Sequence, residues 1–336
     1  MRGFETICVS TSDNIGDRQP LYTTNVYKIK ARQGLIYKRY GHQNSKSLSE
    51  KILSLYGVKL PCYLTSCGMS AIKTALEEYR GKKILVDENV FFESKLLLKE
   101  FNNITFADLN VADYSGYDLI FCEPLSNPLF KRLDIKKVCE KAHSKGGRVL
   151  VDNTLLSLCR YNPFKDGVDY VCESLSKWFD GHGDAMGGVL IGMEVGERLA
   201  AMGNYISPMD SYLIQRGLST LPLRLNKQLE NAKIVLEFLK TISNNILFDE
   251  RCPLITFCVG DRNFNETFAR LLRHISWVWV FGQVNTTIQV GYEMECYAFT
   301  PPYNNHMRLS VGIEKPQDII DDLRQAYYGA KAYCRR

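Results

Sequence analysis

"DLIFCEPLSNPLFKRLDIKKVCEKAHSKGGRVLVDNT", residues 118–154, is the most informative stretch of the sequence for the class of fold. An apolar run at its start and another near its end have the length and composition of buried strands. The segment between them, "LDIKKVCEKAHSKG", mixes apolar and charged residues as an outer helix does. This order of strand, helix and strand predicts two parallel strands joined by a crossover helix.

The same alternation continues on both sides of this stretch. The apolar run "KKILVDEN" at 82–89 is followed by the helical "ESKLLLKEF", and further apolar runs flank Lys177 in "VCESLSKWFDGHGDAMGGVLIG" at 171–192. We therefore expect an α/β fold whose main sheet is mostly parallel and wrapped by helices. Polar residues follow these runs, at the strand ends where open sheets of this kind place their binding crevice.

The two ends of the chain differ from this central part. Residues 207–242 predict two helices, or one long bent helix, that link the sheet domain to a smaller C-terminal α+β domain. That domain has apolar runs, "PLITFCV" and "ISWVWVFG", and a final helix over 316–333. The first 45 residues show little periodicity, and we interpret them as an extended arm.

Composition limits the partners of the protein. The net charge of +5 over 336 residues is spread along the chain, so we expect no nucleic acid and no anionic membrane surface as a partner. The apolar runs are too short to span a membrane, and the start lacks the apolar core of a signal peptide, which predicts a cytoplasmic protein. The eleven cysteines include no CxxC pair and no zinc-like cluster, so we expect reduced thiols and no metal.

A set of polar and small residues falls at the predicted strand ends and at one helix start. It consists of Asp152, Asn127, Ser174, Ser176, Lys177, Gly68 and Met69. The two hydroxyls are expected on one strand face, and backbone N–H groups at the helix start would form an anion site. Each residue has an ordinary structural alternative, such as a turn former at Asp152 or a helix entry at Gly68. Together, a lysine, a carboxylate, an amide and a phosphate cradle are what pyridoxal phosphate requires.

Seven motifs, in order, carry a resemblance to a known family. They are "YKRYG", "TSCGMSAI", "CEPLSNP", "VLVDNT", "ESLSKWFDGHGDAMGG", "SPMDSYLIQRGLSTLPLRL" and "MRLSVGIE". In these segments the chain resembles the Cys/Met-metabolism family of pyridoxal-phosphate enzymes, which includes the cystathionine synthases and lyases and methionine γ-lyase. The resemblance implies the aspartate-aminotransferase-like fold (fold type I). It also implies an N-terminal arm at 1–46 that contacts the neighbouring subunit, a large cofactor-binding domain at 47–225 and a C-terminal domain at 226–336.

The resemblance also assigns roles to the residues around the cofactor. It implies that Lys177 forms the Schiff base with the cofactor, that Asp152 pairs with the pyridinium nitrogen and that Asn127 lies near the ring hydroxyl. The amides of Gly68 and Met69 would hold the phosphate.

The resemblance extends these roles to the rest of the site. The hydroxyls of Ser174 and Ser176 would complete the phosphate cradle. Tyr37 and Arg39 would reach the phosphate of the neighbouring subunit, so that active sites are shared in a homodimer or homotetramer. Arg308 would bind the α-carboxylate of a small amino-acid substrate.

The chain departs from the family at positions that bear on specificity. Phe91 stands where the family has a ring-stacking tyrosine, and Glu93 stands where glycine or cysteine is usual. Phe91 can stack but cannot transfer a proton, whereas Glu93 could be a substitute acid or base, a contact for a cationic substrate, or a charge favoured by the helix dipole. Val280 and Asn285 replace the serine and glutamate of the family's carboxylate-binding loop.

From this resemblance we expect β- or γ-elimination, or γ-replacement, on an amino acid with a sulfur- or ester-linked side chain. This is the chemistry of a lyase or transferase of the trans-sulfuration type. The sequence leaves open another reaction type on the same fold, such as that of an aminotransferase or racemase, and a non-catalytic protein that binds pyridoxal phosphate.

Overall fold

The computed structural model describes residues 3–9, 20–27, 35, 37–291 and 305–334. The chain forms two compact units: unit 1 is Met1–Leu125 with Arg132–Pro222, and unit 2 is Ser126–Lys131 with Leu223–Arg336. The elements of unit 1 are α1 (Phe4–Val9), α2 (Gln43–Tyr56), β1 (Cys62–Thr65), α3 (Gly68–Glu77), β2 (Ile84–Asp87), α4 (Phe92–Leu98), β3 (Ile104–Ala107), β4 (Leu119–Cys122), α5 (Ile135–Ser144), β5 (Arg148–Asp152), α6 (Ser157–Arg160), β6 (Tyr170–Ser174), β7 (Gly188–Ile191), α7 (Gly196–Met202) and α8 (Pro208–Leu218).

The strands of unit 1 form one seven-stranded sheet in the order β1-β7-β6-β5-β4-β2-β3. Strands β3, β2, β4, β5 and β6 pair in parallel, while β7 is antiparallel to both β6 and β1. The predicted unit of strand, helix and strand at 118–154 is confirmed as β4, α5 and β5, with β4 and β5 as parallel neighbours. Because these five strands run the same way, their carboxyl ends lie at one edge of the sheet.

The core of unit 1 explains why its strands are continuous apolar runs. Every residue of β2, β4 and β7 is buried, as expected for a sheet covered on both faces. Helix α3 places Ala71, Ile72 and Ala75 in this core, at the spacing of one helix face. The buried sheet therefore supports the loops at its carboxyl edge.

Unit 2 is built around a second, smaller sheet. Its strand order is β10-β11-β12-β9-β8, with antiparallel pairs except for β10 and β11. The final helix is confirmed, and the run "ISWVWVFG" contributes only a two-residue strand. The elements are α9 (Leu221–Leu239), whose first residues belong to unit 1, β8 (Asn245–Phe248), β9 (Leu254–Cys258), α10 (Arg262–Arg270), β10 (Ser276–Trp277), β11 (Thr287–Val290), β12 (Met307–Ser310) and α11 (Pro316–Tyr333).

The predicted boundaries can be placed against these elements. The segment 207–242 forms two helices, α8 and α9, and the expected boundary at residue 225 falls inside α9. The expected arm at 1–46 lies partly outside the described residues. In its described part, 4–9 are helical rather than extended, α1 packs against α2, and α2 already begins at Gln43. The contact of this arm with a neighbouring subunit stays a prediction.

Helix α2 starts earlier than the sequence pattern indicates because His42 caps it. The His42 ring accepts a hydrogen bond from Ser45 N, and the Ser45 hydroxyl accepts one from His42 N. This reciprocal pair is a capping box formed by residues that are unusual in that role. Across the described part of the chain, none of the helices is both long enough and apolar enough to span a bilayer.

Candidate active site

Four side chains of unit 1 stand at the carboxyl ends of neighbouring parallel strands. Asp87 ends β2, Glu123 directly follows β4, Asp152 ends β5 and Ser174 ends β6. The three carboxyl side chains are buried, with exposures of 6%, 8% and 8% in that order. Buried carboxylates are costly unless donors or cations meet them, so their partners indicate what each one does.

Asp152 has the partners of a carboxylate that can be ionised. Its Oδ1 accepts hydrogen bonds from Thr154 N at 3.0 Å and from the Thr154 hydroxyl at 2.5 Å. Burial raises the pKa of Asp152, and the Thr154 donors and the Lys177 ammonium act against that rise. The predicted lysine and carboxylate therefore lie within electrostatic range of each other.

Lys177 lies in a turn and not on a strand. Strand β6 ends at Ser174, and residues 175–180 form turns that lead toward β7. The prediction that Ser174 and Ser176 share one strand face is wrong, because the extended backbone has ended before Ser176. The Ser176 hydroxyl instead bonds within the loop, accepting from Gly187 N at 2.9 Å.

Gly68 begins α3, as predicted, and lies directly against Ser174. A Cβ added at Gly68 would stand 2.7 Å from Ser174 Cβ and 3.1 Å from its Cα. Only glycine allows this approach between the helix start and the end of β6. Ser174 N in turn bonds to the Thr154 hydroxyl at 2.8 Å, the same hydroxyl that donates to Asp152. The predicted phosphate cradle and the predicted ring carboxylate thus share one network, and these groups fit pyridoxal phosphate.

We expect Gly68→Ala to weaken cofactor binding by about fivefold to 150-fold, because the added methyl group overpacks this junction and costs about 1–3 kcal/mol. The dissociation constant of pyridoxal phosphate, measured by absorbance titration, tests this expectation. Ser70→Ala is the matched control, since Ser70 lies in the same helix turn and its buried hydroxyl has no hydrogen-bond partner among the described residues. If the Gly68→Ala variant and the wild-type protein had equal affinities for pyridoxal phosphate, the assignment of Gly68 to the phosphate-binding site would be wrong.

The two substituted positions of the family's tyrosine loop lie at the start of α4. Phe91 is the residue before the helix, half-buried, and its N–H donates to Glu123 Oε1 at 2.6 Å. Glu93 lies in the first turn of α4 and is exposed, as a charge favoured by the helix dipole would be. Its roles in catalysis or substrate binding stay predictions.

Tyr37 and Arg39 lie beside and within a short 3-10 helix, Lys38–Tyr40. The Arg39 guanidinium donates to Ala200 O at 2.6 Å and stacks over the Tyr40 ring. Tyr37 is exposed at 36% of its surface. Their predicted contact with the phosphate of another subunit stays a prediction.

Unit 2 holds Arg308 in the middle of its sheet. The guanidinium donates to Asn127 Oδ1 at 2.8 Å and to Gln289 Oε1 at 2.5 Å. It also stands over the Phe281 ring, 5.0 Å from its centre. Burial lowers the pKa of Arg308 to about 10, which leaves it charged at neutral pH. A buried guanidinium held by two neutral amides suits a carboxylate ligand.

Asn127 follows β4, as the sequence predicts, in a segment that is grouped with unit 2. This segment is Ser126–Lys131, and within unit 2 Asn127 meets Arg308. Of the two substituted loop residues, Val280 is half-buried and its carbonyl accepts from the Thr287 hydroxyl, while Asn285 is exposed.

Several residues of this arrangement carried no assignment from sequence, among them Thr154, Glu123 and Gln289. Gln289 faces Arg308 across the β11–β12 pair, and Glu123 bonds to the backbone of Phe91. Glu123 had a visible signal, namely an acidic residue directly after a fully apolar strand. No pattern in the sequence singles out Gln289, because its pairing with Arg308 depends on the register between strands β11 and β12.

Comparisons with known proteins agree with this geometry. A family model described as Cys/Met metabolism PLP-dependent enzyme matches residues 13–246. The chain is 30% identical to L-methionine gamma-lyase of Porphyromonas gingivalis, over 91% of each chain, and 28% identical to canavanine gamma-lyase of Pseudomonas canavaninivorans, over 92% of this chain and 91% of that one. It also matches the crystal structure of cystathionine gamma synthase from Xanthomonas oryzae pv. oryzae, with a TM-score of 0.89, 26% identity and 99% of both chains covered.

The fold and these likenesses define a fold type I enzyme dependent on pyridoxal phosphate, as the sequence predicts. The chain belongs to the Cys/Met metabolism family of PLP-dependent enzymes. Its chemistry is that of a lyase or transferase of the trans-sulfuration type, and the relatives give no support to an aminotransferase, a racemase or a non-catalytic binding protein.

Proposed function

We propose that this enzyme catalyses elimination or replacement at the γ-carbon, or elimination at the β-carbon, of an amino acid whose side chain carries a sulfur- or oxygen-linked leaving group. The observation that carries the proposal is the network that joins the buried Asp152 through Thr154 to the Gly68–Ser174 junction, with the Lys177 ammonium acting against the rise in the pKa of Asp152. The compounds in the names of the relatives, canavanine, methionine and cystathionine, all carry sulfur or oxygen on the γ-carbon.

In this proposal the residues of the cofactor site hold the different parts of pyridoxal phosphate. Lys177 holds the cofactor covalently, and Asp152 keeps the ring nitrogen protonated. The phosphate is held by the amides of Gly68 and Met69 and by the hydroxyls of Ser174 and Ser176. The chemistry that pyridoxal phosphate supplies when bound is an electron sink for the carbanion at the substrate's α-carbon.

Proton transfer then falls to Lys177. With cofactor and substrate bound, the Lys177 Nζ, as a neutral amine, would take the proton from the α-carbon and would return a proton to the leaving group. Phe91 supplies no proton, so it acts by stacking on the cofactor ring. By the family resemblance, Arg308 binds the α-carboxylate and Asn127, which bonds to that guanidinium, lies near the cofactor hydroxyl.

We also propose a homodimer or homotetramer in which Tyr37 and Arg39 reach a neighbouring active site, and a cytoplasmic location. The oligomer rests on the family resemblance. The location rests on the sequence, since eleven cysteines at scattered positions are usual in a protein of a reducing compartment.

A panel of amino acids tests the reaction type. We expect L-methionine, L-cystathionine, L-canavanine or an O-acylated homoserine to release a 2-oxo acid and ammonia, or to yield a thioether when a thiol is added. The measurements are 2-oxo acid release and product mass, with Arg308→Lys as the variant that should raise KM while leaving cofactor absorbance intact. Accumulation of pyridoxamine phosphate instead would identify an aminotransferase and overturn the proposal.

A further inference from the structure

Glu123 is a buried acid that the proposed chemistry does not use. It follows β4 directly, and its Oε1 accepts the N–H of Phe91 at 2.6 Å. Phe91 ends the four-residue loop that joins β2 to α4, so this bond ties the end of the loop to the adjacent strand. At the other end of the loop, Asn89 N bonds to Asp87 Oδ1 at 2.8 Å.

The residue type at position 91 indicates that the aromatic ring of Phe91 has a task other than capping helix α4. Phe91 is the N-cap of α4, a position that favours serine, threonine, asparagine or aspartate, and its side chain makes no capping bond within the described part of the chain. A phenylalanine at this position gives up the usual cap. Glu123, beyond the end of a different strand, accepts the N–H of Phe91 itself, which is the bond that an N3 side chain makes in a capping box.

The charged surroundings of Glu123 distinguish it from Asp152. Burial raises the pKa of Glu123 well above its usual range, and the nearby Asp152 and Asp87 raise it further, against the Phe91 N–H and Lys95. Asp152 has donors of its own and a neighbouring ammonium that act against the rise in its pKa, whereas the two nearby carboxylates add to the rise in the pKa of Glu123. A protonated Glu123 still offers its carbonyl oxygen to the Phe91 N–H.

We propose that Glu123 is a positioning residue that sets the height and tilt of the Phe91 ring against the cofactor. This inference rests on the proposed function, in which Phe91 stacks on the ring of pyridoxal phosphate. Glu123 acts through one backbone bond, and a side chain that keeps an oxygen acceptor at this place preserves the function.

The experiment compares Glu123→Gln with Glu123→Leu. The glutamine keeps the acceptor and mimics the protonated acid, whereas the leucine removes the acceptor at similar volume. In the apo protein we expect faster hydrogen exchange at the Phe91 amide in the leucine variant only. In the holoenzyme we expect the leucine variant to change the visible circular dichroism of the bound cofactor and to lower kcat/KM by about tenfold to 100-fold, with the glutamine variant restoring both.

The Phe91→Ala background separates positioning from general stability. If Glu123 acts through the ring, Glu123→Leu should cost nothing further in kcat/KM once the ring is gone. Additive losses, or wild-type exchange and circular dichroism in Glu123→Leu, would overturn the inference. If the leucine variant fails to fold, Glu123→Ser replaces it, since its shorter side chain cannot reach the Phe91 amide. A wild-type protein with no visible cofactor band would refute the proposed function itself, before any variant is compared.

Discussion

Lys177→Ala should bind pyridoxal phosphate without covalent attachment and should lose at least about 1000-fold in kcat, because both the attachment point and the proton carrier are removed. The visible absorbance of the lysine-bound cofactor should disappear, and borohydride reduction should no longer fix the cofactor to the chain. Added methylamine should restore part of the activity by replacing the missing amine.

The chain offers a matched control for this lysine. Lys51 in α2 is buried, at 9% exposure, whereas Lys177 is half-buried, and burial lowers the pKa of the Lys51 amine, as is typical of lysines that attack aldehydes. We expect Lys51→Met to keep the cofactor band and the activity. If the band persisted in Lys177→Ala and vanished in Lys51→Met, the assignment of the cofactor lysine would be wrong.

Asp152→Asn should lower kcat on the order of 100-fold to 1000-fold without destabilising the apo protein. Asparagine keeps an oxygen for the Thr154 donors but carries no charge for the ring nitrogen. Because burial raises the native pKa of Asp152, the native state binds a proton more readily than the unfolded chain does. The contribution of this carboxyl group to stability is therefore fully present below about pH 4 and is lost as pH rises through the native pKa.

The Asp152→Asn substitution removes the free-energy cost of burying the charge of this carboxylate. At pH 7 the apo variant should melt at the same temperature as wild type or higher, and the difference should disappear below about pH 4, where the carboxyl group is protonated in both states. Asp87→Asn is the control and should keep the rate, since Asp87 is equally buried and asparagine retains an oxygen for Asn89 N. A full rate in Asp152→Asn, or a loss of apo stability at pH 7, would show that Asp152 is structural.

The central strands of the main sheet could be predicted from sequence because they are buried on both faces. Runs such as Leu119–Cys122 and Arg148–Asp152 then appear as short apolar blocks, and the helix between them fixes their parallel direction. The order of strands across the sheet could not be predicted, since it depends on contacts between distant segments. The run at 275–282 is misleading, because most of its apolar residues lie in irregular backbone beyond a two-residue strand.

The candidate site also has a part that could be predicted from the sequence and a part that could not. The local structure at Asp152 and Gly68 could be predicted, because a strand end and a helix start are set by nearby residues. For Ser176 the expected period of two continues past the point where β6 stops, and no nearby residue signals that stop. The network from Ser174 through Thr154 to Asp152 joins two strands and carries no local signal.

The segment Ser126–Lys131 must wait during synthesis for the residues that it packs with in unit 2. On the ribosome it emerges long before residues 223–336, which supply its partners within unit 2. The Thr256 hydroxyl donates to Pro128 O at 2.9 Å, and Arg308 donates to Asn127. A chain cut after residue 222 would hold Asn127 without its arginine. The guanidinium and its amide partner are brought together only after β12 has been translated.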